Sequence, residues 1–387
     1  MKKFLLVFLL NSFLFADLIM DVVGEQEVLP KIQILTNTQA NAEFDNILRN
    51  DVLVSAIFDI STDSNADYFL YYSLKDSDDK YDLELTLKDA KLQTKYYTKL
   101  KYPKDMYAFL SHKAISNMVK ELNLTNVDWM NKKILLTRKV AAKQSQIVLA
   151  DYTLSYQKVI LQGGLNLFAK WADDEEKAFY YSDYSQDELK IYKYNIANNT
   201  KNLIVSGNGM LALSDVKADK ALITMTNSDQ PDVFLFDLNT KNAKRLTSYK
   251  GIDVGAKFIG DNSFVFISDR SSYPNIYMQA LNSNNASQLV YHGKNNSAFD
   301  VFNEYVVYSS RESEGDFNLY LMSVNNQFVR QLTLNGRNIF PIFSKDGETI
   351  MFIKLLGNQS SLGILRLKEN KVFHFPLKIG KISTLDW

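Results

Sequence analysis

The side chains that could perform chemistry are few and lie far apart in the sequence. The 387 residues include no cysteine and three histidines, His112, His292 and His374, and no two histidines lie within a helical turn of each other. Thiolate metal sites, iron–sulfur clusters, cysteine nucleophiles and disulfides are therefore excluded. A histidine-rich metal site is not expected, because such ligands usually recur at short spacing. The sequence predicts neither a metal nor a cofactor.

The sequence contains no motif that indicates a hydrolase. The G-x-S-x-G turn that presents a serine nucleophile is missing from the sequence. Four adjacent carboxylates at 173–176 could in principle act as an acid and a base. A run of this kind is more often a solvated turn between strands, and we expect that here. No catalytic residue is predicted.

Charge and composition indicate a folded protein of two parts. Lys+Arg and Asp+Glu both number 44, and 46% of the residues are hydrophobic. Residues 17–131 have 12 basic and 19 acidic side chains (12 − 19 = −7), whereas residues 132–387 have 30 and 25 (30 − 25 = +5). The asymmetry favours a boundary near residue 130. The basic residues do not cluster into a stripe, so nucleic acid is not expected as a partner.

The first residues have the pattern of a secretory signal. Lys2 and Lys3 precede the apolar run 4–10, and Ala16 provides a small residue for cleavage. We expect residues 1–16 to be a Sec-type signal peptide and the mature chain to begin at Asp17. No other segment is long and apolar enough to span a bilayer, so direct membrane insertion is not expected.

Short β-rich runs recur at a fixed interval through the rest of the chain. One apolar position in each run falls at 135, 180, 223, 266, 308 and 352, at intervals of 45, 43, 43, 42 and 44. A second position, at 148, 192, 234, 277, 320 and 364, repeats at 44, 42, 43, 43 and 44. A period of about 40–45 residues with four short strands per unit is typical of a β-propeller. The pattern predicts six blades over residues 131–387.

The two ends of the repeat complement each other. The first unit opens at 132–138 without a segment for an inner strand, and residues 381–387 form a surplus strand at the C-terminus. We expect this last strand to be the innermost strand of the first blade, because this pairing removes exposed strand edges.

Residues 17–130 are predicted to form an α/β domain, a mixed sheet packed by two helices. Asn41 can cap a helix whose apolar face includes Phe44, Ile47 and Leu48. Pro103 is expected to open the second helix, which has an apolar face over 109–122. The predicted strands are 18–23, 28–35, 55–60, 68–74, 81–87 and 92–102.

Several phrases, in this order, resemble the TolB family, the periplasmic components of the Tol–Pal system of Gram-negative bacteria. The repeat contains PIFSKDG (341–347), FISDR (266–270), KRLT (244–247) and RQLT (330–333), and the N-terminal part contains FDNILRNDVLVSAIFDI (44–60) and FLSHKAISNMVKELN (109–123). The Trp-Ser-Pro-Asp-Gly inner strand of the family is degenerate here, as at 171–174 and 258–261. The resemblance covers essentially the whole mature chain and implies a monomeric periplasmic scaffold, not an enzyme.

The resemblance also implies two partners and a role in outer-membrane integrity and constriction during cell division. The lipoprotein Pal would bind the propeller, and TolA would bind the mature N-terminus. By position, the TolA segment is Asp17, Leu18, Ile19, Met20, Asp21, Val22 and Val23.

The propeller surface follows from geometry, because loops that join the outer strand of one blade to the inner strand of the next converge around the central channel. The predicted Pal face therefore consists of Leu167, Phe168, Asn208, Gly209, Asp253, Val254, Asn296, Ser297, Asn338 and Ile339. Two alternatives stay open. One is a propeller that binds another envelope protein or a glycan, and the other is a propeller enzyme.

Overall fold

The computed structural model describes residues 19–22, 28–38, 41–63, 65–227, 229–311 and 316–387. The predicted signal peptide lies outside these residues, as do Asp17, Leu18 and Val23 of the predicted TolA segment. Among the described residues, no helix has the length and apolar character needed to cross a membrane.

The first described strand, β1 (Ile19–Val22), does not join a sheet of the N-terminal part. It pairs antiparallel with residues 371–374 near the other end of the chain, from Ile19 opposite His374 to Val22 opposite Lys371. The expectation that this segment is the first strand of the α/β domain was wrong. The local pattern indicates an extended segment, but it does not say which sheet edge accepts it.

The mixed sheet and its two helices confirm the predicted α/β architecture. Its strands are β2 (Lys31–Thr36), β3 (Asp59–Ile60), β4 (Tyr68–Ser77), β5 (Lys80–Asp89) and β6 (Thr94–Pro103), and its helices are α1 (Ala42–Ser55) and α2 (Tyr107–Glu121). The order across the sheet is β3-β2-β4-β5-β6. β2 runs parallel to both of its neighbours, whereas β4, β5 and β6 form antiparallel hairpins.

A local signal fixes where α1 begins. The Asn41 side-chain oxygen accepts hydrogen bonds from the N–H groups of Glu43 and Phe44, at 3.1 and 3.2 Å, and so caps α1 as predicted. Pro103, in contrast, does not open α2. Its extended backbone (φ −54°, ψ 143°) ends β6, and a 3-10 turn at Lys104–Met106 precedes the helix. A fixed φ near −65° suits both conformations, so proline alone could not choose between them.

Six antiparallel blades confirm the predicted propeller within the described part of the chain. Blade 1 contains β7 (Ile134–Ala141), β8 (Gln144–Ala150) and β9 (Gln157–Gln162), and blade 2 contains β10 (Asn166–Trp171), β11 (Ala178–Asp183), β12 (Leu189–Asn195) and β13 (Thr200–Gly207). Blade 3 contains β14 (Leu211–Lys217), β15 (Lys220–Asn227), β16 (Gln230–Asp237) and β17 (Ala243–Arg245), and blade 4 contains β18 (Asp253–Ile259), β19 (Ser263–Ser268), β20 (Asn275–Ala280) and β21 (Ser287–Gln288). Blade 5 contains β22 (Lys294–Phe302), β23 (Tyr305–Arg311), β24 (Phe317–Ser323) and β25 (Val329–Gln331), and blade 6 contains β26 (Arg337–Phe343), β27 (Thr349–Leu356), β28 (Gln359–Arg366) and β29 (Lys371–Pro376).

The last strand, β30 (Lys381–Asp386), pairs antiparallel with β7, from Lys381 opposite Lys139 to Asp386 opposite Leu135. This is the pairing that the sequence predicts. Blade 1 therefore has the order β30-β7-β8-β9, with its inner strand taken from the C-terminus and its other strands from the start of the repeat.

One hydrophobic core joins the α/β unit to blades 1 and 6. It runs from the inner faces of β2, β4 and β5, through α1 and α2, to side chains of β7, β27 and β28. Trp129, in the 3-10 turn Asp128–Asn131, belongs to this core and packs edge-on against Trp387 at a ring-centroid distance of 5.6 Å. The C-terminus is thereby held against the junction of the two parts.

Candidate functional site

The inner strands of all six blades surround a central channel. They are β30, β10, β14, β18, β22 and β26, and residues from each line the cavities found there. All six run in the same direction along the channel. We call the side at which these strands begin the start face and the opposite side the end face.

The start face opens into a cavity of 260 Å³ with a mainly apolar lining. Phe168, Val254 and Ser297 of the predicted partner face line it. Other apolar residues around it are Met210, Leu213, Ile267, Phe299, Phe340, Pro341, Ile342 and Leu385. A concave apolar site at this position can receive a side chain or a short loop of another protein.

Two phenylalanines at this cavity adopt a backbone conformation that is unfavourable for a bulky residue. Phe168 has φ +54° and Phe340 has φ +52°, both in the left-handed region. Each lies where the pairing register shifts, between Leu167 and Lys170 in β10 and between Ile339 and Ile342 in β26. Such a conformation costs about 1–3 kcal/mol and often occurs at binding sites. Sequence reasoning identified Phe168 but missed Phe340.

Three of the predicted face residues are buried at the beginning of inner strands. The Asn296 side-chain amide donates to the carbonyl of His292 at 3.0 Å, and that of Asn338 donates to the carbonyl of Asn335 at 3.0 Å. Asp253 is fully buried and accepts from Arg270 at 3.0 Å. These side chains hold the turns in place instead of pointing into the cavity.

The other predicted positions lie around the rim. Asn208 and Gly209 are exposed in the turn before β14, and Gly209 has φ +77°. Leu167 and Ile339 are half-buried in β10 and β26, and neither lines the cavity. The structure therefore brings three of the ten predicted residues together at the cavity and places the rest beside or behind it.

Below the cavity, charges of opposite sign alternate around the channel. Asp386, Lys170, Asp215, Lys257 and Asp300 come from the inner strands of blades 1 to 5 in that order. Lys170 Nζ lies 3.3 Å from Asp386 and 3.9 Å from Asp215, and Lys257 Nζ lies 2.9 Å from Asp300. We call these five residues the charge ring.

Each aspartate of the charge ring also binds the backbone of the next blade. Asp386 accepts from the N–H of Trp171 at 2.7 Å, and Asp215 accepts from that of Phe258 at 2.9 Å. Asp300 accepts from the N–H of Phe343 at 2.9 Å. The same contact thus joins blades 1 and 2, 3 and 4, and 5 and 6.

The charge ring keeps Lys257 protonated. Burial would lower the pKa of Lys257, but the negative charges of Asp300, Asp215 and Asp386 outweigh this effect and raise it above its usual value. A lysine that is charged at every physiological pH supplies a fixed cation in the channel. Among the described residues, no three histidine or carboxylate side chains are grouped so that they could hold a metal ion.

The end face opens into a second cavity of 460 Å³, and Lys170, Lys257 and Asp386 of the charge ring line both cavities. The carboxylate run 173–176 lies here. Asp174 is exposed and pairs with Lys345, whereas Glu176 is 12% exposed and lies 3.4 Å from Lys132. The expectation of a solvated turn therefore fails for Glu176, because Lys132 and Lys133, which directly precede β7, pair with its carboxylate at 3.4 and 3.5 Å.

Part of the predicted TolA segment is described, and it forms β1. Through β1, the N-terminal segment adds one strand to the outer edge of blade 6 by main-chain pairing with β29. A strand held on a sheet edge in this way can in principle be exchanged for a strand of another protein.

Comparison with known proteins decides the family. Residues 125–387 match the family model described as the TolB beta propeller domain. The chain is 46% identical over 402 residues to the Tol-Pal system protein TolB of Campylobacter jejuni subsp. jejuni serotype O:2, with all of both chains covered. The chain belongs to the TolB family.

Other members extend this result. The TolB protein of Helicobacter pylori strain HPAG1 is 36% identical over 419 residues, again with both chains fully covered. The crystal structure of TolB from Acinetobacter baumannii superimposes with a TM-score of 0.79 at 20% identity, over 96% of this chain and 99% of that one, and supports the fold. Membership in the TolB family indicates a role in the Tol–Pal system of the cell envelope.

Proposed function

We propose that this protein is a periplasmic scaffold of the Tol–Pal system, not an enzyme. In this proposal the start face of the propeller binds the peptidoglycan-associated lipoprotein Pal, and the N-terminal segment binds TolA. The complex would support outer-membrane integrity and constriction during cell division. The α/β unit corresponds to residues 17–130 and the propeller to residues 131–387.

The observation that carries the Pal assignment is the apolar cavity on the start face. Phe340 is 38% exposed there, although its backbone conformation is costly for phenylalanine. Exposed aromatic side chains beside a concave site are typical anchors for a protein partner. The charge ring lies beneath this cavity, so a partner loop that enters it would meet charged side chains at the level of Lys257.

Calorimetric titration tests this assignment. The mature protein, beginning at Asp17, is titrated with the soluble domain of the host's Pal, and saturable one-to-one binding is expected. Phe340→Ala should weaken this binding about tenfold or more, because it removes an aromatic anchor.

A matched control separates the site from general effects of losing a phenylalanine. Phe328 is 63% exposed in the turn between β24 and β25, on the end face. Phe328→Ala should bind Pal as the wild type does. Absence of binding by folded wild-type protein would reject the Pal assignment, and equal effects of the two variants would remove the start face from it.

The pairing of β1 with β29 supports the TolA assignment. A chain that lacks residues 17–23 should lose binding to the soluble C-terminal domain of TolA and should keep binding to Pal, since the start face is untouched. Retained TolA binding by the shortened chain would refute this half of the proposal.

A further inference from the structure

A groove on the start face, between blades 1 and 6, contains lysines and no carboxylate. It has a volume of 580 Å³ and is lined by Lys139, Val140, Ala141, Asn358, Gln359, Leu377, Lys378, Gly380 and Lys381. Lys381 begins β30, so the groove lies on the same side of the propeller as the apolar cavity. We call it the lysine groove.

The charges of the lysine groove are not neutralised from within the described residues. Lys139, Lys378 and Lys381 are exposed, and none of them forms an ion pair with a described residue. The polar contact of Lys381 is to the uncharged side-chain oxygen of Asn358, at 3.2 Å. Lys143, in the turn between β7 and β8, adds a further exposed cation nearby.

Two of these lysines face each other directly. Lys381 and Lys139 are cross-strand partners where β30 meets β7. Like charges at directly opposite positions destabilise a strand pair. The two backbones approach each other closely beside this pair, since a Cβ atom at Gly380 would lie 2.8 Å from the Lys139 carbonyl oxygen.

Apolar side chains accompany the lysines. Val140 is 41% exposed and Ile379 is 66% exposed, and both are adjacent in sequence to lysines of the groove. A single small anion would use the cations but not this apolar surface. A peptide segment that carries carboxylates among apolar residues would use both, and the groove has room for several of its side chains.

We propose that the lysine groove binds an acidic segment of the protein that docks on the start face. The inference rests on the proposed function, in which that protein is Pal. Apolar contacts in the cavity would anchor the partner, and the lysine groove would set its orientation and speed its association through complementary charge.

The variant Lys139→Glu tests this proposal, because binding and stability should change in opposite directions. Opposite Lys381, a glutamate replaces a repulsive pair by an attractive one, so the thermal unfolding midpoint should rise. At the same time the groove loses two units of positive charge, and affinity for the Pal domain should fall about fivefold to tenfold at low salt. Misfolding cannot produce this combination.

Salt dependence and two further variants complete the experiment. The affinity of the wild type should fall as NaCl is raised from about 50 to 500 mM, and that of Lys139→Glu should fall less, because exposed charges are screened. Lys378→Glu, outside the strand pair, should weaken binding without a change in stability. Lys241→Glu, an exposed lysine in the turn between β16 and β17 on the end face, should bind as the wild type does.

The outcomes separate this proposal from the proposed function. If the wild type binds Pal but Lys139→Glu and Lys378→Glu bind equally well with the same salt dependence, the lysine groove has no part in docking and the inference is overturned. If Lys241→Glu weakens binding as much as the groove variants, the effect comes from net charge and the inference is again overturned. If the folded wild type does not bind Pal at all, the proposed function fails, and the assignment of this groove to Pal fails with it.

Discussion

At the scale of single residues, a buried ionic network fastens the α/β unit to blade 1. His112 on α2 is fully buried, with Nδ1 2.8 Å from Asp51 on α1 and Nε2 3.1 Å from Asp151 after β8. Tyr152 and Ser111 each donate a hydroxyl hydrogen bond to Asp51. Burial alone would lower the pKa of His112, but the two carboxylates raise it to about 9.

This network predicts how stability depends on pH. The folded-state pKa of His112, about 9, exceeds its ordinary value of 6.5. The stabilisation is therefore fully present below about pH 6.5 and is lost as pH rises through 9, by an amount of the order of 3 kcal/mol. Urea unfolding of the wild type at pH 6, 7.5 and 9 should show this decline in the free energy of unfolding.

Two variants identify the residue responsible for the decline. His112→Asn should be less stable at pH 6 and should show a much flatter dependence over the same range, because its side chain does not titrate. His292→Asn changes an exposed histidine of the propeller and should keep the wild-type slope. Equal slopes for the wild type and His112→Asn would contradict the assignment.

The sequence could not reveal this network. Its members are separated by 61 residues, from Asp51 to His112, and by 39, from His112 to Asp151. Histidine positions alone excluded a local metal motif, and no periodicity connects α1, α2 and the loop after β8. Only the packing of the α/β unit on blade 1 brings the three side chains together.

At the scale of secondary-structure elements, the inner strands hold the propeller together. Asp386 of β30 binds both Lys170 and the N–H of Trp171, and Trp387 packs on Trp129 and donates to the carbonyl of Phe343 at 3.0 Å. The final seven residues therefore contact blade 1, blade 2, blade 6 and the junction with the α/β unit.

Removal of residues 381–387 should destabilise the whole propeller and not merely shorten a tail. The edge of β7 and the N–H of Trp171 would lose their partners, and buried apolar contacts of Ile382 and Leu385 would be lost. We expect the truncated chain to unfold at much lower urea concentration, in a transition followed by far-UV circular dichroism. Asp386→Asn, which keeps the strand and an acceptor for Trp171, should lose only about 2 kcal/mol. A truncated chain with wild-type stability would contradict this role.

Elements were the scale at which the sequence was most informative. The 42–45-residue period predicted the blades because corresponding strands of successive units have apolar residues at the same positions. The surplus C-terminal strand predicted the pairing with β7. The charge ring was missed, although its members at 170, 215, 257, 300 and 386 keep the same period. Lysine and aspartate alternate at that position, so a search for similar residues passes over it. The assignment of β1 to an α/β sheet failed because its partner, β29, lies about 350 residues away.

At the scale of the whole molecule, the α/β unit and the propeller share one core. The expected boundary near residue 130 falls in the 3-10 turn that contains Trp129 and Met130, both buried in that core. Arg366 of β28 crosses the same junction. Although 1% exposed, it donates to the carbonyl of Asn126 at 3.3 Å and to the hydroxyl of Thr125 at 3.1 Å, and its guanidinium lies over the Trp129 ring at 5.9 Å.

This continuity predicts that the two parts unfold together. Calorimetry of the mature protein should show one transition, coincident with the change in fluorescence of a Trp171→Phe variant, in which Trp129 and Trp387 at the junction are the remaining tryptophans. Arg366→Met should lower the free energy of that single transition by about 3 kcal/mol, since it removes hydrogen bonds that join the two parts. Arg330→Met is the matched control, because Arg330 donates to the carbonyl of Leu367 and to the side chain of Asn370, both within the propeller. It should lower the free energy of that transition by less than Arg366→Met does, because it removes no hydrogen bond between the two parts. Two separate transitions in the wild type, with Arg366→Met affecting neither, would show that each part folds independently and that the shared core does not couple them.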